Sequence, residues 1–106
     1  MNIVNLTPHS INIYNENKEM VLTVPPSGQI ARVGTAKNLV DTVDSIPMFE
    51  TVVTGEPAGL PERQENTIFI VSGIFRSNFD REDLYQPGEL LRNEAGQPIG
   101  CIGLSR

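Results

Sequence analysis

Turn residues recur along this chain so often that no long regular element fits between them. Nine glycines and eight prolines stand among 106 residues. Together with Asn, Asp and Ser they mark breaks at Thr7-Pro8, Asn15 to Lys18, Pro25 to Gly28, Gly34, Gly55 to Pro61, Gln86 to Gly88 and Asn93 to Gly96. The segments between the breaks are strand-sized, a spacing expected of a mostly-β domain. At 106 residues the chain suits a single domain spanning 1–106. The expected fold class is therefore mostly β (α+β): a small single-domain antiparallel sheet, or a partly open barrel, with one short helix.

The segments read as follows. Residues 2–6 and 10–14 flank Thr7-Pro8, and residues 20–24 alternate as the return strand of a hairpin whose loop is Asn15 to Glu19. The pair Pro25-Pro26 lacks backbone N–H groups and ends that strand. Residues 30–33 form a further short strand. Residues 38–44 and 48–54 form a hairpin around Ser45 to Pro47, with a short helix over Leu39 to Asp44 as the competing reading. Gly55 to Pro61, followed by Glu62 to Asn66, reads as an exposed loop, either a plain connection or a mobile lid or interface arm. The run Thr67 to Val71 is the most apolar and belongs at a sheet centre. Val71, Phe75 and Phe79 then fall at i, i+4 and i+8, predicting a helix from about Gly73 to Phe79 with Ser72 as N-cap and its Phe face on the sheet. Residues 89–92 and 98–104 form a hairpin across Asn93 to Gly96. A change of phase near Gly100 to Gly103 predicts a bulge or a close backbone approach.

Charge and cysteine content narrow the function classes. The net charge of −5 argues against duplex DNA as a partner. One cysteine and one histidine exclude an intramolecular disulfide and a multi-Cys zinc site. No apolar run approaches a membrane span and no signal peptide opens the chain, so a soluble cytoplasmic protein is the expectation. No cofactor motif is present; the Gly-x-x-x-x-Gly-Lys phosphate loop in particular is missing.

Arginine outnumbers lysine six to two in this acidic chain. Its planar fork binds phosphate or carboxylate bidentately, which lysine does not do. Arg32, Arg76, Arg81 and Arg92, with Ser72 at the helix start and His9, are the candidate ligand-binding residues for a small phosphorylated molecule. The competing reading pairs the arginines with Asp80, Glu82, Asp83 and Glu89 on the surface. His9 stands beside Ser10, but neighbouring strand residues face opposite ways, which disfavours a nucleophile–base pair. A turn histidine bonded to a backbone carbonyl is the simpler reading. Cys101, flanked by apolar residues with no cation adjacent, reads as a buried, inert thiol. An enzyme using His9 and an Arg-bound substrate requires His9 to meet Arg76 or Arg92 in space. Open sheet edges point to a homo-oligomer, whose pockets would then lie between subunits.

Leu6 to His9, Pro26 to Gly28, Gly59 to Pro61, Ile70 to Ser72, Asp83-Leu84, Pro87 to Leu90, Arg92 and Gly100 to Leu104 form a series of short boxes along nearly the whole chain. In this series the chain resembles a set of short proteins encoded by bacteriophages, prophages and some bacteria. Phe79-Asp80 departs from the pattern, which predicts a helix still running there, so a shorter helix is expected here. The resemblance implies a phage-associated setting in a bacterial host and no defined chemistry. Small acidic phage proteins often act by binding, which implies a counter-defence protein sequestering a phosphorylated signal such as a nucleotide. The alternative is an acidic interaction module that inhibits a host protein.

Overall fold

The computed structural model describes all of residues 1–106. Eight strands and one helix follow one another: β1 (Asn2–Asn5), β2 (Ile11–Tyr14), β3 (Met20–Val24), β4 (Arg32–Val43), β5 (Ile46–Ala58), β6 (Thr67–Ile70), α1 (Gly73–Asn78), β7 (Leu84–Arg92) and β8 (Pro98–Ser105). Six strands form one sheet in the order β1-β6-β7-β8-β2-β3, and β4 and β5 form a separate antiparallel pair. The chain is thus mostly β with one short helix, and of the two expected architectures it adopts the partly open barrel. Its pairings are mixed: β1·β6, β6·β7 and β2·β8 are parallel, whereas β7·β8 and β2·β3 are antiparallel.

The barrel curls until β3 approaches β1 and leaves one seam. Strand pairing does not close it. Asn5 does, and only at one end. Its side chain is almost fully buried, donating from Nδ2 to the Val24 carbonyl at 3.1 Å and the His9 carbonyl at 2.7 Å. Its Oδ1 accepts from the Thr7 backbone N–H at 2.9 Å and the Thr7 hydroxyl at 2.6 Å. A parallel bridge from Asn5 to Pro26 and the Ser27 N–H bond to the Asn5 carbonyl complete the closure. Toward Met20 and Asn2 the seam stays open as a groove of about 350 Å³. A buried amide that satisfies both its donor and acceptor groups contributes stability instead of a desolvation penalty.

Two apolar clusters lie on either side of β6, as the alternation of a strand requires. Phe69 and Val71 join Leu6, Ala31, Phe75 and Leu84 in one. Ile70 joins Ile13, Val24 and Cys101 in the other. The helix supplies Phe75, fully buried, and its ring lies 4.8 Å from that of Phe79. Ser72 caps the helix, its hydroxyl accepting from the Phe75 N–H, and the helix ends at Asn78, one residue short of the expected Phe79.

The β4–β5 pair is much longer than the hairpin read from the residues. The strand expected over 30–33 continues into it, and Gly55 to Ala58 belong to β5 instead of to a loop. The helix considered over Leu39 to Asp44 does not form. Thr42 and Val43 are β-branched and lie across from Pro47 and Ile46, with β-branched Val40 at a register slip, so pairing prevails over the local alternative. Asp44 and Ser45, both with positive φ, make the two-residue turn, which places the bend earlier than Ser45 to Pro47. At the base Gly59 (φ +79°) lies so close to the Ile30 carbonyl that no side chain fits there. Val33 reaches the helix-side cluster; beyond it the hairpin packs essentially on itself. The pair is an arm. It raises the radius of gyration to 16.3 Å, against about 13 Å for a compact chain of this length.

Candidate functional site

The polar candidates do not gather in one place. Arg81 sits after the helix and forks onto Asp83, with Nε 2.7 Å and Nη2 2.8 Å from the two carboxylate oxygens. The guanidinium fork holds the Asp83 carboxyl below the usual aspartate range, while the same bond raises Arg81 further. Asp83 is buried, so this pair is a structural strut and its fork is already filled. Arg92 donates to the Gly96 carbonyl at 2.7 Å and steadies the β7–β8 turn. Arg63 pairs with Glu82 at 3.5 Å on the open surface. Three of the six arginines therefore carry ion pairs with the carboxylates considered for them: Arg63, Arg76 and Arg81.

Arg32 and Ser72 do meet. They line a cleft of about 220 Å³ between the arm base, the Thr7-Pro8 turn and Ile74. The Ser72 hydroxyl is engaged as the helix cap. His9 lies elsewhere, exposed, beside an open depression of about 630 Å³ floored by Leu90, Ile99 and Cys101. No arginine lines that depression, so His9 and the arginines do not converge on one substrate position. The turn histidine reading is modified: the His9 backbone carbonyl, not its ring, accepts from Asn5 and Thr7. Cys101 is buried, with Sγ 3.7 Å from the Asn12 carbonyl. The predicted close approach is at Gly100, where a Cβ would strike the Asn12 carbonyl and the Tyr14 ring. The register slip falls between Leu91 and Arg92 on the facing strand.

One depression is lined entirely by polar residues. Arg76, Ser77, Asn78, Asp80, Gln86 and Arg106 surround about 420 Å³ at the C-terminal end of the helix. Arg76 is held from behind: its Nε donates to the Leu84 carbonyl at 3.0 Å and its Nη1 reaches the Phe79 carbonyl at 3.5 Å. Its Nη2 contact with Asp80 is long, 3.4 Å, and the Asp80 side chain is 90% exposed, a pairing that water and ions displace readily. Arg106 makes no ion pair and lies over the Tyr85 ring, 5.9 Å from its centre. Two guanidiniums thus border one depression with amide and hydroxyl groups beside them, and guanidiniums are groups that bind phosphate or carboxylate oxygens.

Arg106 and Gln86 were not among the residues selected from the sequence. Arg106 counts in the arginine excess, but only the β7–β8 pairing, with Gln86 opposite Ser105, brings it to the helix. No three His, Cys, Asp or Glu side chains group closely enough to hold a metal ion. No helix is long and apolar enough to cross a membrane. Compared with protein-family models, curated proteins and solved structures, the chain matches none of them.

Proposed function

We propose that the protein is a small phage-type binding protein that holds a phosphorylated small molecule, such as a nucleotide signal, between Arg76 and Arg106. The observation that carries this reading is the pair of guanidiniums on one wholly polar depression, with only the exposed Asp80 opposing them. Arg76, held at Nε and Nη1 by backbone carbonyls, offers its Nη2 end in a set orientation, which lowers the ordering cost of binding. Arg106, stacked on Tyr85, supplies the second positive charge. An acidic chain with a confined cationic site favours a small phosphate ligand and repels long nucleic acid. On this reading the protein works by sequestration in the cytoplasm of a bacterial host, as a homo-oligomer, without a catalytic step or a cofactor.

Calorimetry against a panel of mono-, di- and cyclic nucleotides tests it. At least one member binds with a Kd below millimolar, its unphosphorylated nucleoside does not bind, and Arg106→Ala weakens binding about tenfold or more. A panel silent at millimolar concentration overturns the reading. Salt-sensitive capture of a basic protein by such a silent sample would favour the acidic interaction module instead.

A further inference from the structure

The arm has no partner within its own chain. Directly opposed residues of a β-ladder share a face and successive residues alternate, so Leu39 and Phe49 project from one side. Val43, Ile46 and Met48 project from the other. All five are about half exposed or more, as is Val40 at the register slip. An isolated two-stranded hairpin is marginal in water, and one with large apolar groups on both faces calls for cover on both. Both outer edges of the pair also lack a hydrogen-bonded neighbour.

The barrel shows the complementary lack. β3 ends the six-stranded sheet with no strand on its outer side, and its Met20, Val21 and Leu22 are exposed. The Asn5 latch closes the seam only at the far end, so the groove between Leu22 and Ile3 stays open. The arm makes no substantial packing contact with its own β3. One chain thus presents an apolar arm and an apolar open edge that it cannot join to each other. We propose that the arm of one copy docks on the open β3 edge of a second copy. The inference does not rest on the phosphate site.

Area arguments favour a second copy over a chance partner. The outer half of the arm measures roughly 10 by 20 Å per face, from strand spacing and rise. One face laid on a foreign surface buries about 400 Å² counting both sides, less than a specific interface needs. Two copies exchanging arms, with the remaining arm faces covering each other, bury about 1,200 Å², the lower limit for a specific interface. Reciprocal exchange is also how an arm-to-edge contact closes into a finite assembly.

Size-exclusion chromatography with light scattering tests this on the full chain, with Phe49→Asp on the arm and Leu22→Asp on the edge. The wild type runs as a dimer or larger closed oligomer at high micromolar loading, and each variant runs as a monomer. Circular dichroism and thermal unfolding verify that each variant keeps the barrel. Mixing the two variants does not restore association, because a single arm-to-edge contact buries about 400 Å² and falls short of a specific interface. A monomeric wild type overturns the proposal. So does an arm variant that dissociates while the edge variant does not, or a mixture of the two that associates as the wild type does. If Leu22→Asp fails to fold, Val21→Lys, at a more exposed position, takes its place with the same expected and overturning results.

Discussion

β6 and β5 use similar side chains and meet opposite surroundings. On β6, Thr67, Phe69 and Ile70 are all buried between two clusters, with a strand on either side. On β5, Ile46, Met48 and Phe49 lie in a ladder more than twice as long and remain exposed. The difference is not propensity, since both segments are rich in β-forming residues. It is the number of layers each can reach. β6 has a helix on one side and the barrel interior on the other, whereas the arm has only its own second strand. Length of pairing therefore says little here about stability, which follows the buried apolar area.

If that contrast holds, substitutions sort by region. Phe75→Ala empties a fully buried position and is expected to cost about 3–5 kcal/mol in urea unfolding. A loss below about 1 kcal/mol would show that the helix-side cluster is not what holds the barrel. Asn5→Ala comes next, at about 3 kcal/mol, because it removes the amide donor to the Val24 carbonyl and the acceptor of the Thr7 N–H. Faster amide exchange at Ser27, whose N–H bonds the Asn5 carbonyl, would locate that loss at the seam.

Arg81→Ala is expected to cost about 2–3 kcal/mol, less than for a fully buried pair because Arg81 is a quarter exposed. Its pH dependence gives a sharper test. The folded Asp83 pKa is depressed, so its contribution is fully present above the ordinary aspartate pKa and is lost as pH falls through the lower folded value. Without Arg81 that depression disappears, and acid unfolding begins at higher pH. The smallest effect is reserved for the arm. Phe49→Ser, measured where the protein is monomeric, changes barrel stability by less than about 0.5 kcal/mol. A larger change would mean that arm and barrel fold as one cooperative unit.

The barrel was legible where the signal was local. The alternation of residues 20–24, the Asn93 to Gly96 turn and the i, i+4, i+8 phenylalanines all specify their element within a few residues. The arm was only half legible. Gly34, Gly55 and Pro57 carry the signature of breaks, yet they sit inside β4 and β5, where an open edge tolerates a missing side chain or N–H. The strand order was not legible at all, because β1·β6 and β2·β8 join residues from opposite ends of the chain. The polar depression shared this obscurity. Arg76 was visible as the one basic residue of the helix, but its meeting with Arg106 depends on that same long-range pairing.

Asn5 was read as an ordinary strand residue. An Asn two positions before Thr7, at the exit of a strand and just ahead of Pro8, is also the pattern of a side chain that bonds its own turn.

The strand order also fixes a sequence of events during synthesis. Asn2 finds its partner at Thr67 and Ile13 its second partner at Cys101, so the six-stranded sheet cannot be completed until nearly the whole chain is translated. At roughly 5–20 residues per second that wait lasts several seconds. The arm needs only its own residues and a two-residue turn, and hairpins of that kind close in about microseconds. The part of the molecule with the least to hold it thus takes shape before the barrel, preceded only by the β2–β3 hairpin. Its apolar tip is therefore exposed before the barrel exists.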